Sequence, residues 1–237
     1  MKLNNSAIVY EGASLIDGQP VVAIATGFLM GNNSKLGSNV VQVWVMRSDL
    51  SPVEAIKTEQ DYSVCGDCPL RGKVCYVNLT FAPTQIYRTY KRGGYEPIGD
   101  RHLQRIKDYG KVLRLTAYGD IAAIPKSAIA PLINSASHTI GYTHQWRASS
   151  DYKGIVMASC ESVDDVKQAR AIGWQTFRVK AKSEPLLPQE QACTNQTNKA
   201  IQCEDCKLCD GKTKSVAVDV HGLNWKLENY KKLTVAK

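Results

Sequence analysis

The apolar and polar positions divide the chain into two parts of different rhythm. In the first, short runs rich in β-branched and aromatic residues at Ala7 to Tyr10, Val21 to Phe28 and Val40 to Met46 predict strands. Between the last two lies Gly31-Asn32-Asn33-Ser34-Lys35-Leu36-Gly37-Ser38-Asn39, a polar loop with turn chemistry. Its amides, with Lys35 adding charge, could hold an anion; the plainer reading is a hairpin loop. Ser51-Pro52-Val53-Glu54 reads as a helix start, with Ser as N-cap, Pro at the first helical position and Glu completing a capping box. Pro83 opens a helix to about Arg92, stopped by Gly93-Gly94, and Asp100 is expected to cap another that ends near Gly110.

From Lys111 onward strand and helix patterns alternate. Strands are predicted at Lys111 to Ala117, Thr139 to Thr143, Gly154 to Ser159 and Trp174 to Val179. Helices are predicted at Pro125 to Ser135 and from Ser162 to Gly173. Short connections between them argue for βα units and a parallel sheet. Ser183 to Asn198 is a polar excursion, Ser215 to Val220 a returning last strand, and Leu223 to Val235 a terminal helix. The expected fold is α/β: a partial or complete (β/α) barrel-like parallel sheet, with an N-terminal β-rich segment and metal-binding cysteine loops. One domain covers 1–237, made of a β-rich part (1–60), a βα core (61–182) and a cysteine-rich part with the last strand and terminal helix (183–237).

Parallel α/β sheets collect ligands at the carboxyl ends of their strands. Five successive predicted ends carry Asp120, His144 with Arg147, Cys160 with Glu161, Lys180, and Asp219 with His221. Asp120, His144 and Lys180 are the candidates for proton transfer or substrate binding, and Arg114, Arg147 and Arg178 for anions. Each has a structural alternative: Asp120 as a helix cap, His144 as a satisfied core residue, Cys160 as a small buried hydrophobe.

The cysteines sharpen this picture. Seven of eight fall in two stretches: Cys65, Cys68 and Cys75 in a C-x2-C-x6-C pattern, and Cys193, Cys203, Cys206 and Cys209 near the end. No apolar run reaches the roughly 18 residues a membrane span requires, and the first residues do not read as a signal peptide. A cytoplasmic protein is therefore expected, whose reduced thiols serve as metal ligands rather than disulfides. Thiolates select iron–sulfur clusters or zinc. Cys203-x2-Cys206-x2-Cys209 with Cys193 resembles the ligand run of a [4Fe–4S] cluster. Three thiols in the first stretch would leave one iron of a cluster open. Zinc held by Cys65, Cys68, Cys206 and Cys209 is the alternative.

The formal charge is +8, concentrated between Tyr87 and Arg114. Arg88, Lys91, Arg92 and Arg105, interleaved with Tyr87, Tyr90, Tyr95 and Tyr109, would suit DNA, RNA or a nucleotide, with cations on phosphate and rings on bases. A solvated helix face is the competing explanation.

Cys65-Gly66-Asp67-Cys68-Pro69, Cys75-Tyr76-Val77-Asn78, Leu113-Arg114-Leu115-Thr116 running into Gly119-Asp120, Gly141-Tyr142-Thr143-His144 and the terminal Cys-x2-Cys-x2-Cys together resemble an uncharacterised cysteine-rich family of bacteriophages and mobile elements. Through its order of elements that family is distantly similar to radical-S-adenosylmethionine-type partial (β/α) barrels. The resemblance covers roughly residues 20 to 222 and implies a bacteriophage setting, hence a bacterial cytoplasm, and a barrel-like α/β fold. Radical S-adenosylmethionine enzymes use C-x3-C-x2-C, which this chain lacks, so S-adenosylmethionine stays a candidate rather than an implied cofactor. The leading expectation is an iron–sulfur enzyme acting on a nucleotide or nucleic acid. The alternative is a non-enzymatic, zinc- or cluster-stabilised nucleic-acid-binding protein. A nuclease is disfavoured, because His102, His138, His144 and His221 form no H-x-H pair.

Overall fold

The structure is a computed structural model describing residues 3–31, 33–72, 74–221 and 227–230. Strands β1 (Ser6–Ala13), β2 (Pro20–Thr26) and β3 (Val40–Arg47) form an antiparallel meander. Their alternating side chains are buried on both faces of β2 and β3, which explains why these runs are almost wholly apolar. Three helices follow: α1 (Pro52–Lys57), α2 (Tyr62–Cys65) and α3 (Ala82–Lys91). The capping box at Ser51 is present, with Ser51 and Glu54 reciprocally bonded.

The short strand β4 (Glu96–Pro97) pairs parallel with β1. Helix α4 (Asp100–Asp108) begins one residue earlier than expected: Gly99, not Asp100, is its N-cap. Strand β5 (Val112–Tyr118) then pairs parallel with β3, and after α5 (Lys126–Ser135) the chain forms β6 (His138–Ile140) beside β5. The single strand expected at Thr139 to Thr143 is broken at Gly141. Beyond it β7 (Tyr142–Thr143) belongs to a second sheet. The break has a physical cause: the Gly141 N–H donates to Cys209 O at 2.9 Å, taking it out of the ladder.

The second sheet continues with β8 (Met157–Cys160), α6 (Val163–Ala171) and β9 (Thr176–Lys180). The polar excursion contains an unexpected strand, β10 (Glu190–Ala192), and a one-turn helix, α7 (Thr194–Thr197); a second one-turn helix, α8 (Cys203–Cys206), follows it before β11 (Ser215–Asp219). The order β10-β11-β9-β8-β7 is parallel throughout. The fold is thus mixed α/β with parallel strands in both sheets. Of the expected terminal helix, residues 227–230 are helical and the remainder lies outside the described residues.

Side-chain alternation gives the first sheet two different faces. Val21, Ala23, Val41, Val43, Leu113 and Leu115 point into the main core with Ile106 of α4 and Ile129 and Leu132 of α5. Val22, Ile24, Trp44 and Met46 point the other way, against Ile86 and Tyr87 of α3. Helices α3 and α4 therefore cover opposite faces. No described helix is long and apolar enough to cross a membrane.

Candidate functional site

A cavity of about 180 Å³ opens at the carboxyl ends of the parallel strands. Thr116 and Tyr118 of β5, Tyr142 of β7, Ser159 of β8, Phe177 and Val179 of β9 and Val218 of β11 line it. Alternation accounts for the set: Thr116 and Tyr118 share a face of β5, as Phe177 and Val179 share a face of β9. Cys65, at the end of α2, and Cys68 and Cys75, in the loop that follows it, line the same cavity. The strand-end convergence expected from sequence is therefore partly present, and the first cysteine stretch lies on it.

That loop is tied down by backbone bonds. Asp120 N–H donates to Val64 O at 2.6 Å, and Cys68 N–H to Cys65 O at 3.2 Å. Gln145 Nε2 donates to Cys65 O at 3.1 Å. Gly66 has φ 52°, a left-handed backbone that favours glycine, and a Cβ there would fall 2.4 Å from the Gln145 amide and displace it. Desolvation pushes the Cys65 thiol well above its ordinary range, and the neighbouring charges of Cys68 and Cys75 push it further.

Asp120 is a hub for the loop. Its Oδ1 accepts from Ala122 N–H at 3.0 Å and Thr143 Oγ1 at 2.7 Å; its Oδ2 accepts from His144 N–H at 2.7 Å. The carboxylate is 4% exposed and its acceptor sites are occupied, so it positions neighbours rather than reaching a substrate. His144 is the outcome of that positioning. Its Nε2 lies 2.8 Å from Glu161 Oε1 and 3.7 Å from Cys68 Sγ. Burial alone would lower the His144 pKa; the Glu161 carboxylate and Cys68 outweigh it and raise it well above the usual value. Carboxylate and sulfur share one ring nitrogen, which is not the relay order of a nucleophilic Cys–His–acid triad.

The second set of thiols is half-buried like the first, in a different setting. Cys203 and Cys209 pack with Leu36, Val40, Val112 and Ile140, an apolar pocket at the amino ends of β3 and β5. A recess of about 40 Å³ is lined by Cys193, Cys203, Cys206 and Cys209 together with Ile140 and Val216. Cys193 also lines the larger cavity, so the two sets share a wall. Desolvation raises the Cys209 thiol, with Cys193, Cys203 and Cys206 adding to it and Arg114 opposing. For Cys203, desolvation again dominates, opposed by Lys35 and Arg114. The loop 31–39 holds this segment: Cys203 N–H donates to Lys35 O and Glu204 N–H to Leu36 O, both at 3.0 Å. Asn39 N–H donates to Glu204 Oε2 at 2.6 Å, so the carboxylate bound by this loop is the chain's own.

Several expected site residues are committed elsewhere. Lys180 Nζ donates to Asp219 Oδ1 at 2.6 Å, Glu184 O at 2.8 Å and Ala181 O at 3.3 Å, which engages all three of its protons. Arg178, 1% exposed, is bidentate to Glu190 at 2.8 and 2.7 Å and reaches Glu184 and Pro185 O. It clamps the excursion to the sheet and binds no outside anion. Arg147 stacks on Trp146 at 3.8 Å and pairs with Asp165 at 2.5 Å, on the α6 side. Arg114 donates to Gln42 at 3.2 Å beside the second thiol set. Cys160 is wholly buried in the main core. Arg88, Lys91 and Arg92 belong to α3 and its end, while Arg105 belongs to α4 and stacks on Tyr109 across the sheet from them. The basic stretch is thus not one surface.

Sequence reasoning missed Tyr118, Tyr142, Phe177 and the partnership of Glu161 with His144. The alternation of β5 and β9 was the available signal. Among the described residues, no group of three or more His, Cys, Asp or Glu is arranged to hold a single metal ion. Comparison with known proteins found no matching family model, no matching curated protein and no matching solved structure.

Proposed function

We propose that this chain is an iron–sulfur enzyme of bacteriophage type, working in the cytoplasm of a bacterial host on a barrel-like wrap of parallel strands. The donor type suits such clusters: Cys68 and Cys75 lie near enough to Cys65, and Cys193, Cys203 and Cys206 near enough to Cys209, to act on its charge. Cys65, Cys68 and Cys75 would hold a [4Fe–4S] cluster with one iron free of protein ligands. Cys193, Cys203, Cys206 and Cys209 would hold a second one completely. When bound, the first cluster supplies electron transfer or a Lewis-acid iron to a molecule in the cavity. The protein's own work is to orient and to exclude water. Asp120 fixes the cysteine loop and the His144 backbone, Glu161 holds the His144 ring, and His144 Nε2 keeps a proton beside Cys68.

The observation that carries this reading is that the three-thiol stretch and the carboxyl ends of β5, β7, β8, β9 and β11 line one cavity. The family this chain resembles is itself distantly similar to radical-S-adenosylmethionine-type barrels, which makes S-adenosylmethionine a candidate co-substrate testable by equilibrium dialysis. The nucleic-acid-binding alternative needs a continuous basic surface, and its residues are divided between α3 and α4. Protein purified without air is expected to be brown, with visible absorption that dithionite bleaches, and to contain iron and sulfide. A colourless protein with stoichiometric zinc would overturn the reading in favour of a structural zinc site.

A further inference from the structure

We infer that the four-thiol site is the electron entrance to the three-thiol site, with Cys193 as the side chain that joins them. This rests on the iron–sulfur reading above and gives the second set a function within it.

The first ground is the shared wall. Cys193 lines both the recess of the second set and the cavity of the first. Its place is fixed: the Cys193 N–H donates to Ala217 O at 2.8 Å, at the middle of β11. On either side of Ala217, Val216 lines the recess and Val218 the cavity. The chain makes the same step between β6 and β7, where Ile140 lines the recess and Tyr142 the cavity. Two residues of extended chain span at most about 7 Å, so the two spaces adjoin.

The second ground is β5, whose one face runs from the second set to the first. Val112 packs with Cys203 and Cys209. Arg114, next on that face, lies close enough to act on the charge of both thiols. Thr116 then lines the cavity, and Tyr118 lies near enough to Cys65 and Cys75 to feel their charge. Six residues of strand cover about 20 Å, which sets the outer scale of the separation.

The third ground is ligand count. A cluster held by four thiolates has no iron open to a reactant, so beyond a structural role its chemistry is to carry an electron. A reactant in the cavity covers the first set and leaves the recess clear, so electrons for the first set need a second way in. The step balances simply. A low-potential one-electron donor is oxidised at the recess, the four-thiol site takes up that electron and passes it on, and it ends as it began. No bond forms or breaks.

The test mixes the full chain, prepared without air, with a small flavoprotein reduced to its hydroquinone. This is a one-electron donor too large for the cavity and free of any iron signal. Dithionite, small enough to enter the cavity, is the comparison reductant, and freeze-quenched samples are read by electron paramagnetic resonance. The flavoprotein is expected to reduce both sites of the intact chain, whose fully reduced spectrum should be broadened by the two neighbouring spins. Cys193→Ala, which removes a ligand of the second set only, should slow flavoprotein reduction of the first site at least roughly tenfold and leave its dithionite reduction unchanged. If that variant fails to fold, Cys68→Ala carries the test: the flavoprotein must reduce its remaining site as fast as in the intact chain. An unchanged rate at the first site in Cys193→Ala overturns the inference. So does a second site in Cys68→Ala that only dithionite reaches, or a fully reduced spectrum without broadening. Iron and sulfide analysis of the same samples separates the readings. A chain without either sinks the cluster reading and the relay together, whereas two loaded sites that are reduced independently sink the relay alone.

Discussion

The two cysteine stretches use the same donor atom in opposite settings. Cys65, Cys68 and Cys75 stand at the carboxyl ends of the strands, on a cavity with His144, Tyr118 and Ser159. Cys193, Cys203, Cys206 and Cys209 lie around a recess of about 40 Å³, with Cys203 and Cys209 packed on Leu36, Val40, Val112 and Ile140. The first set has three thiols, in a mainly apolar cavity that also holds His144 and Asp120; the second has four, in a small recess with Asn195 and Lys207 among its lining. On the proposed reading, the incomplete set faces the space where a reactant would fit, and the complete set faces a small recess near the amino ends of β3 and β5. On that reading, position on the sheet, more than cysteine spacing, would separate the reactive site from the supporting one.

The largest effects should come from the thiols themselves. Cys209→Ala is expected to lose about half the iron and to destabilise the folded chain by several kcal/mol, because structural metal binding is folding free energy. Cys68→Ala should lose a similar share of iron with a much smaller fall in melting temperature. Metal analysis with thermal unfolding checks both, and equal destabilisation by the two variants would break the comparison.

Next come the anchors. Arg178→Met leaves the Glu190 side chain, which is 0% exposed, without its partner. Removing one member of a buried ion pair costs about 3–5 kcal/mol, measurable by urea unfolding. It should also loosen the segment carrying Cys193, so second-set iron is lost first. Asp120→Ala strands the Ala122, Thr143 and His144 donors. A cost of about 2–3 kcal/mol is expected, with first-set iron lost first.

Smaller still is the effect of His144→Phe, which removes the imidazole 3.7 Å from Cys68 Sγ. Hydrogen bonds to cluster sulfurs tune potential, so the first cluster's midpoint should shift downward while the second stays fixed. A redox titration followed by electron paramagnetic resonance reads both at once.

The smallest effect serves as a control away from both sets. His102 sits against Phe28 and beside Glu96, and burial lowers its pKa despite that carboxylate. Below about pH 6.5 the unfolded chain therefore takes up a proton that the folded chain resists. Stability should fall as pH drops from there toward the folded-state pKa, and His102→Gln should flatten that slope without altering either iron content.

Much of the scaffold was legible because local signals agreed with the final structure. Ser51 with Glu54, Ser162 with Asp165, and the alternation of apolar strands with capped helices each mark an element that is present. What sequence could not show was commitment. Lys180 and Arg178 end a strand as a catalytic pair would, but their partners Asp219 and Glu190 lie 39 and 12 residues away and meet them only after folding. The basic stretch from Arg88 to Arg105 is continuous in sequence, yet β4 intervenes and turns its two helices to opposite faces. Tyr118 escaped notice because a tyrosine in a strand is ordinary until it is found lining a cavity.

The open-versus-closed distinction between the two thiol sets has a direct assay. A cluster held by three cysteines sheds its unligated iron on mild oxidation and leaves a [3Fe–4S] centre visible by electron paramagnetic resonance. The account predicts about one such spin per chain, present in Cys209→Ala and lost in Cys68→Ala, as expected for one three-thiol and one four-thiol site. An iron-loaded protein that yields no such signal, or a signal lost in Cys209→Ala and kept in Cys68→Ala, would contradict it.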